Sequence, residues 1–546
     1  MEENRYPVPR PVNENTRDYG PGSDDKRRLK EALKRLLNQP VEIPLVIGGA
    51  NVATGRKKDI RCPHDQATVL GSYHAGNREE AMAAVAAALA ARQGWEKTPW
   101  ADRAAIFLKA ADLLAGRYRY EIVAATMLGQ SKNVFQAELD AACELADFLR
   151  FNVAYMSRIY ADQPDHQAPG SWTRLEYRPL DGFVFAVTPF NFMAIGGNLP
   201  TAPAMMGNTV VWKPASTAVL SSYVFMRILI EAGLPPGVIN MVPGRGSDIG
   251  DPVIDHRDLA GVHFTGSTAT FTDIWHRVAE NLKKGVYRNY PRLIGETGGK
   301  GFVIAGPDAD PEAVSTALFR GAFEYQGQKC AAASRAYIPR SLWPEIKNRL
   351  SDLAANVLVG DVTDFKTFMG AIIDRAAFDS IVSFIEYARS SDEADIVVGG
   401  TYDASRGYFI RPTVIETAAP KFKTMEEEIF GPVLSVYVFP DEEFERTLDL
   451  VDSTSPYALT GAVFSNDRKT LRLALEKLTH AAGNIYINDK PTGAVVGQQP
   501  FGGSRMSGTN DKAGSHLNLI RWTSPRTIKE NFDPPRDISY PHMAES

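Results

Sequence analysis

Phe183-Val184-Phe185-Ala186-Val187-Thr188-Pro189-Phe190-Asn191-Phe192 begins with an unbroken apolar run that stops at Thr-Pro. A short apolar run closed by a turn signal reads as a strand buried on both faces. Thr209-Val210-Val211-Trp212-Lys213 reads as a second strand. A helix should follow it, capped by Ser216 or Thr217 and ended by Gly233. Residues 238–242 and 261–264 read as further short strands. Strands alternating with helices imply an α/β fold with a parallel, doubly wound sheet.

Working outward, a second strand–helix series is expected from residues 292–296. It includes a helix around 311–325, a strand at 335–339, and continues to about residue 490. Upstream, residues 78–160 are alanine-rich with a helical period, and 161–181 form a Pro/Gly connector. Residues 44–49 read as a strand entering a turn, and the polar residues 1–40 as a surface wrap. Residues 490–508 are glycine-punctuated, and Arg521-Trp522-Thr523 suggests an edge strand.

With 546 residues, the chain is too long for one hydrophobic core. A net charge of −5 gives no electrostatic case for nucleic acid or an anionic membrane. The cysteines are Cys62, Cys143 and Cys330, with no C-x-x-C pair. So sparse a set fits a reducing compartment and argues against both a disulfide framework and a structural zinc; no metal is expected. No apolar run is long enough to span a bilayer, and the N-terminus lacks the pattern of a secretory or transit peptide. The expected location is cytoplasmic.

Cys330 stands in Tyr325-Gln326-Gly327-Gln328-Lys329-Cys330, a setting unlike an apolar core strand. A thiol there reads as a nucleophile, with a buried structural cysteine as the competing reading. Glu296, in Gly295-Glu296-Thr297-Gly298-Gly299-Lys300, follows a buried strand; burial would raise its pKa and suit it to activate water. A capping or salt-bridged carboxylate is the alternative. Asn191 follows the 183–188 strand and can donate to a developing oxyanion, or simply fill a turn.

The dinucleotide fingerprint G-x-G-x-x-G is absent, since Gly244 to Gly250 is one residue too long. Phe264-Thr265-Gly266-Ser267-Thr268, at a strand end and opening a helix, is the better phosphate site. Lys213 can reach a ribose or phosphate, or remain solvated. Residues 492–503 read as a loop whose N–H groups can form an anion nest, or as a flexible turn.

Together these motifs closely resemble the aldehyde dehydrogenase superfamily over roughly residues 40–530. They are joined by Glu427-Glu428-Ile429-Phe430-Gly431-Pro432-Val433. Within the superfamily, the likeness is closer to the branch that acts on L-glutamate γ-semialdehyde. Residues 491–503, Ser507-Gly508-Thr509-Asn510-Asp511-Lys512, Ile520-Arg521-Trp522-Thr523 and Met127-Leu128-Gly129-Gln130-Ser131-Lys132 carry that likeness. The resemblance implies a Rossmann-type NAD-binding domain (41–160 and 182–295) and an α/β catalytic domain (296–504). It also implies an oligomerisation β-flap with the C-terminal segment (161–181 and 505–546), after an N-terminal extension (1–40).

The resemblance further implies NAD-dependent oxidation of L-glutamate γ-semialdehyde, formed from Δ1-pyrroline-5-carboxylate, to L-glutamate through a cysteine thioester, the second step of proline catabolism. Cys330 is then the nucleophile, Glu296 the base and Asn191 the oxyanion donor. Thr188, Lys213, Gly266, Ser267, Thr268, Ala269, Thr270, Glu428 and Phe430 are the implied NAD ligands. Gly493 and Ala494 would hold the substrate carboxylate, Phe192 and Phe501 would flank its chain, and Lys329 would add positive charge. A homo-oligomer is implied. With only about 40 residues before the match, proline oxidation is expected from a separate proline dehydrogenase.

Three positions depart from the pattern. Ala331 and Ala494 stand where relatives carry Ser, and Ser216 where many NAD-preferring relatives carry Glu. They leave open another carboxylate-bearing or medium-chain aldehyde, and NADP in place of NAD. A non-catalytic binding protein on the same scaffold is the remaining alternative; the intact Cys330, Glu296 and Asn191 argue against it.

Overall fold

The structure, a computed structural model, describes residues 8–543. Two seven-stranded sheets organise it. The first runs Arg292–Glu296, Leu259–Thr265, Phe183–Val187, Thr209–Lys213, Ile239–Met241, Leu45–Ile47 and Ala50–Val52. The strands from Arg292–Glu296 to Ile239–Met241 are parallel, and the last two form an antiparallel edge. Phe183, Val184, Phe185 and Ala186 are at most 1% exposed, so this strand is buried on both faces as its apolar run requires.

From Phe183–Val187 the chain builds outward on one side, then returns to the other side at Leu259–Thr265. A crevice opens at such a reversal, beyond the carboxyl ends of the strands. Thr188 and Gly266 stand there. Helices Val219–Ala232 and Leu145–Ala161 contribute to the core on one face of the sheet, and Arg78–Lys97 and Thr268–Lys283 to the core on the other.

The second sheet runs Ala394–Val398, Thr413–Thr417, Val433–Phe439, Ala333–Pro339, Gly301–Ala305, Thr460–Phe464 and Asn484–Ile487, parallel except for its first pair. The Arg292–Glu296 strand expected to start this series instead closes the first sheet. Only residues 297–300 link it to Gly301–Ala305, so the chain passes from the carboxyl end of one sheet to the amino end of the other.

Other expectations are corrected. Ser216–Ala218 is a 3-10 turn, and the Val219–Ala232 helix begins without a side-chain cap, although Gly233 does end it at φ 106°. Of the expected surface wrap, residues 1–7 lie outside the described residues, and residues 8–40 are more than a wrap. Asp24–Asn38 is a helix capped by Ser23 that buries Leu29, Ala32, Leu33 and Leu36. Residues 520–522 form a 3-10 turn with Trp522 fully buried. The strand after it, Thr523–Asn531, pairs antiparallel with Ser171–Pro179. Within the alanine-rich helical region, Glu138–Glu144 is a π-helix.

The link between the sheets explains its glycines. A Cβ on Gly299 would lie 2.0 Å from the Cys330 carbonyl oxygen, and one on Gly298 would lie 2.5 Å from Glu428 Oε2. The first contact is with backbone, which cannot turn aside. Gly299→Ala should cost about 1–3 kcal/mol through overpacking and should displace the Cys330 loop. A urea-unfolding midpoint equal to the wild type, with full activity, would show that the joint is loose.

Candidate active site

Cys330 lies where two cavities meet, one of about 1020 Å3 and one of about 290 Å3. A strained turn presents it. Tyr325, Gln326 and Gly327 all take left-handed φ, 53°, 56° and 65°. Left-handed non-glycine residues of this kind persist only where their surroundings hold them. Here Gln326 Nε2 donates to the Ser131 and Ala371 carbonyls at 2.9 and 2.8 Å. Gln328 Oε1 accepts from Ile373 N at 2.9 Å. Gly327 packs so closely on the Gly431 carbonyl that a Cβ would come within 2.2 Å of its oxygen.

Asn191 is buried, and its Nδ2 donates to the Gln328 carbonyl at 3.1 Å, which leaves the amide's second hydrogen for a ligand. The turn after Phe183–Val187 is held from below. Asp140, in the π-helix, accepts from Met193 N at 2.9 Å and Ala194 N at 2.8 Å, capping the Met193–Met205 helix. The same carboxylate pairs with buried Lys132 at 2.6 Å, whose ammonium lies over the Phe192 and Tyr325 rings.

Burial, with the nearby Glu296 and Glu428 carboxylates, pushes the Cys330 thiol up to about 12. Glu296 ends its strand as expected, and its Oε2 has no hydrogen-bond partner among the described residues. Burial raises its carboxyl well above the usual range; Lys512 pulls it down, Asp511 pushes it up, and the Gly503 N–H pulls it down. The result is a carboxyl biased toward holding a proton, in the same cavity wall as the Cys330 thiol.

Thr188, Lys213, Gly266, Ser267, Thr270, Glu428 and Phe430 all line the larger cavity with Asn191 and Cys330. Thr188 accepts a 3.0 Å bond from Trp212 Nε1. Lys213 is a half-buried ammonium whose hydrogen-bond acceptor is the Pro214 carbonyl at 3.4 Å, and desolvation pushes it down to about 8. Ser267 caps the Thr268–Lys283 helix, whose first-turn N–H groups suit a phosphate. Glu428 Oε1 accepts from Gly299 N at 2.7 Å, and burial raises this carboxyl to about 7. Phe430, at φ 55°, stacks edge-on against Phe190.

These donors, with an apolar slot of Phe185, Ile254, Phe264 and Ile274, fit a dinucleotide. Thr268 and Ala269 are not in the wall. Thr268 instead bonds the Met506 carbonyl and Gly298 N, bracing the glycine link.

Phe192, Lys329, Gly493, Ala494 and Phe501 line the smaller cavity together with Cys330 and Glu296. The Gly493 and Ala494 N–H groups make no hydrogen bond among the described residues, and Gly493 needs its φ of 96°. Lys490 Nζ grips the Thr492 carbonyl at 3.1 Å. Lys329 and Arg320 share Glu324, at 3.4 and 2.6 Å.

Sequence reasoning missed Arg320, Lys490 and Glu144, all in this wall. The Glu144 carboxyl makes no hydrogen bond among the described residues, and burial pushes it up to about 8. Lys490 flanks the glycine loop and was the one of the three with a readable signal.

The aldehyde dehydrogenase family matches residues 51–528. The chain belongs to the aldehyde dehydrogenase family. This aldehyde dehydrogenase is 52% identical, over 99% of its length and 97% of the relative's, to a mitochondrial Δ1-pyrroline-5-carboxylate dehydrogenase of Dictyostelium discoideum. It is 50% identical to the Δ1-pyrroline-5-carboxylate dehydrogenase of Agaricus bisporus, over 98% of both chains. The crystal structure of the Mycobacterium tuberculosis Δ1-pyrroline-5-carboxylate dehydrogenase bound with NAD shares its fold with a TM-score of 0.95, at 53% identity over 99% of both chains.

Lys512 acts by charge on the Glu296 carboxyl in this aldehyde dehydrogenase. Its Nζ holds the Gly483 and Gly502 carbonyls at 2.7 and 3.0 Å, and its charge acts on Glu296. Lys512→Met removes the only group named here that lowers the Glu296 pKa by charge. That pKa should rise further, so the ionised base appears only at higher pH. The pH profile of steady-state turnover should move to the alkaline side. An unmoved profile would separate Lys512 from the base.

Proposed function

We propose that the protein oxidises L-glutamate γ-semialdehyde, the open form of Δ1-pyrroline-5-carboxylate, to L-glutamate with NAD. One observation carries the reading. A single small cavity is lined by Cys330 and Glu296 and also by the free Gly493 and Ala494 N–H groups, with Lys329, Lys490 and Arg320. A short aldehyde with a carboxylate at its far end matches that arrangement. Glu144, in the same wall, offers a carboxylate to the substrate's ammonium, which would draw its proton off.

In this reading Cys330 Sγ attacks the aldehyde carbon, while Asn191 Nδ2 and the Cys330 N–H donate to the developing oxyanion. Thr188, Lys213, Gly266, Ser267, Thr270, Glu428 and Phe430 would hold NAD, which when bound supplies the hydride acceptor. Phe192 and Phe501 keep the substrate chain in an apolar sleeve. Glu296 takes the proton from the water that releases the product from Cys330. The competing substrate is another carboxylate-bearing aldehyde, favoured by Ala331. That methyl stands in the cavity wall where a hydroxyl would add a hydrogen bond to a charged group, worth about 1.5–3 kcal/mol.

The same reading divides the chain into NAD-binding segments 41–160 and 182–295, a catalytic segment 296–504, and a paired-strand flap for a second copy. The imine substrate is the two-electron oxidation product of proline, so a separate proline dehydrogenase would supply it. Three free cysteines suit a reducing, cytoplasmic location. Among the described residues, no helix is long and apolar enough to cross a membrane.

With NAD, purified protein should reduce the cofactor fastest on Δ1-pyrroline-5-carboxylate, well ahead of propanal and succinate semialdehyde in kcat/KM. Cys330→Ala should abolish NADH formation. Preference for another aldehyde would overturn the substrate, and turnover by Cys330→Ala would overturn the chemistry.

A further inference from the structure

The smaller cavity has an unexpected wall. Asn13, Glu14 and Thr16, from the N-terminal extension, line it alongside Gly493, Ala494 and Glu144. Asn13 joins two sides of the cavity. Its Nδ2 donates to Asp147 Oδ2 and to the Val496 carbonyl, each at 2.8 Å. Its Oδ1 accepts from Gln498 Nε2 at 3.0 Å, and Glu14 N donates to Asp147 Oδ1 at 2.7 Å. Val496 and Gln498 belong to the loop that carries Gly493 and Ala494. Asp147 lies almost one helical turn beyond Glu144.

A buried charge network fixes this strap from behind. Glu14 pairs with Arg119 at 2.8 Å and Arg150 at 2.7 Å. Arg17 N and Tyr19 OH donate to Glu138 at 2.9 and 2.7 Å, and Arg119 Nε donates to the same carboxylate at 3.0 Å. Arg119 and Glu138 are each 1% exposed, so the strap is tied to the interior and does not merely lie on the surface. Glu138 opens the π-helix that ends at Glu144. Such local widenings of a helix are frequent at functional sites, because they re-aim the side chains that follow.

We infer that residues 13–19 form a built-in wall of the substrate site, and that Asn13 determines specificity by latching the Gly493–Ala494 loop to the helix that follows Glu144. The inference rests on the proposed substrate. Two free N–H groups recognise a carboxylate only when held at a fixed distance from the thiol, and a loop left unlatched loses that preorganisation. Among the described residues, the Asn13 side chain bonds Asp147, Val496 and Gln498, and neither Cys330 nor Glu296. An aldehyde without a carboxylate should not sense its loss.

The test compares Asn13→Ala and, from the other side of the latch, Gln498→Ala with the wild type. Both leave the Glu14–Arg119–Glu138 network intact. KM for Δ1-pyrroline-5-carboxylate should rise about tenfold, as expected for roughly 1.4 kcal/mol of lost positioning. Its kcat, the KM for NAD and the KM for propanal should stay near wild type. Asn13→Asp, which sets a carboxylate against Asp147, should act in the same direction and more strongly. Unchanged KM values, or an equal loss on propanal and Δ1-pyrroline-5-carboxylate, would overturn the latch. A wild-type enzyme without preference for Δ1-pyrroline-5-carboxylate would instead overturn the substrate reading and the inference with it.

Discussion

The contact between Gly299 and the Cys330 carbonyl is the joint on which the site depends. Glu296 ends a strand of one sheet, and Cys330 precedes a strand of the other. Neither sheet alone holds both groups. They meet because four residues carry the chain between the sheets and because Gly299 has no Cβ to hold the Cys330 loop away. The loop stores strain in three successive left-handed residues, each non-glycine one costing about 1–3 kcal/mol. Gln326 and Gln328 hold the turn against that strain by bonding backbone from other parts of the chain.

Burial sets the electrostatics. Cys330, Glu296, Glu428 and Glu144 are raised, and Lys213 and Lys329 are lowered, chiefly because each is taken out of water. Each group is therefore biased toward its neutral form until a ligand brings a complementary charge or dipole. A carboxylate entering near Lys329, or an ammonium near Glu144, favours the charged form of the group it meets.

Much of this was legible in the chain. The 183–188 run could only be a strand buried on both faces, and its Thr-Pro ending placed Asn191 at a strand end. Gly298 and Gly299, inside the Glu296 motif, prove to be places of close approach. The Gly493–Ala494 loop was readable as a nest of N–H groups. The N-terminal strap was not, because Asn13 finds Asp147 across 134 residues and no local pattern marks such a pairing. The Asp24–Asn38 helix was masked by its dense charge, although its apolar residues fall on one face. Left-handed Tyr325 and Gln326 carry no signal either, since tertiary contacts impose that conformation on them. Thr268 and Ala269 followed from their place in a motif, but the helix turns them away from the larger cavity's wall.

In the proposed chemistry a covalent intermediate forms on Cys330, and Glu296 is needed to release it. Intact-mass spectrometry of Glu296→Gln mixed with NAD and Δ1-pyrroline-5-carboxylate tests it most directly. A persistent acyl adduct on Cys330, formed with one equivalent of NADH, is the predicted result. Continued turnover at the wild-type rate with no adduct would rule that intermediate out.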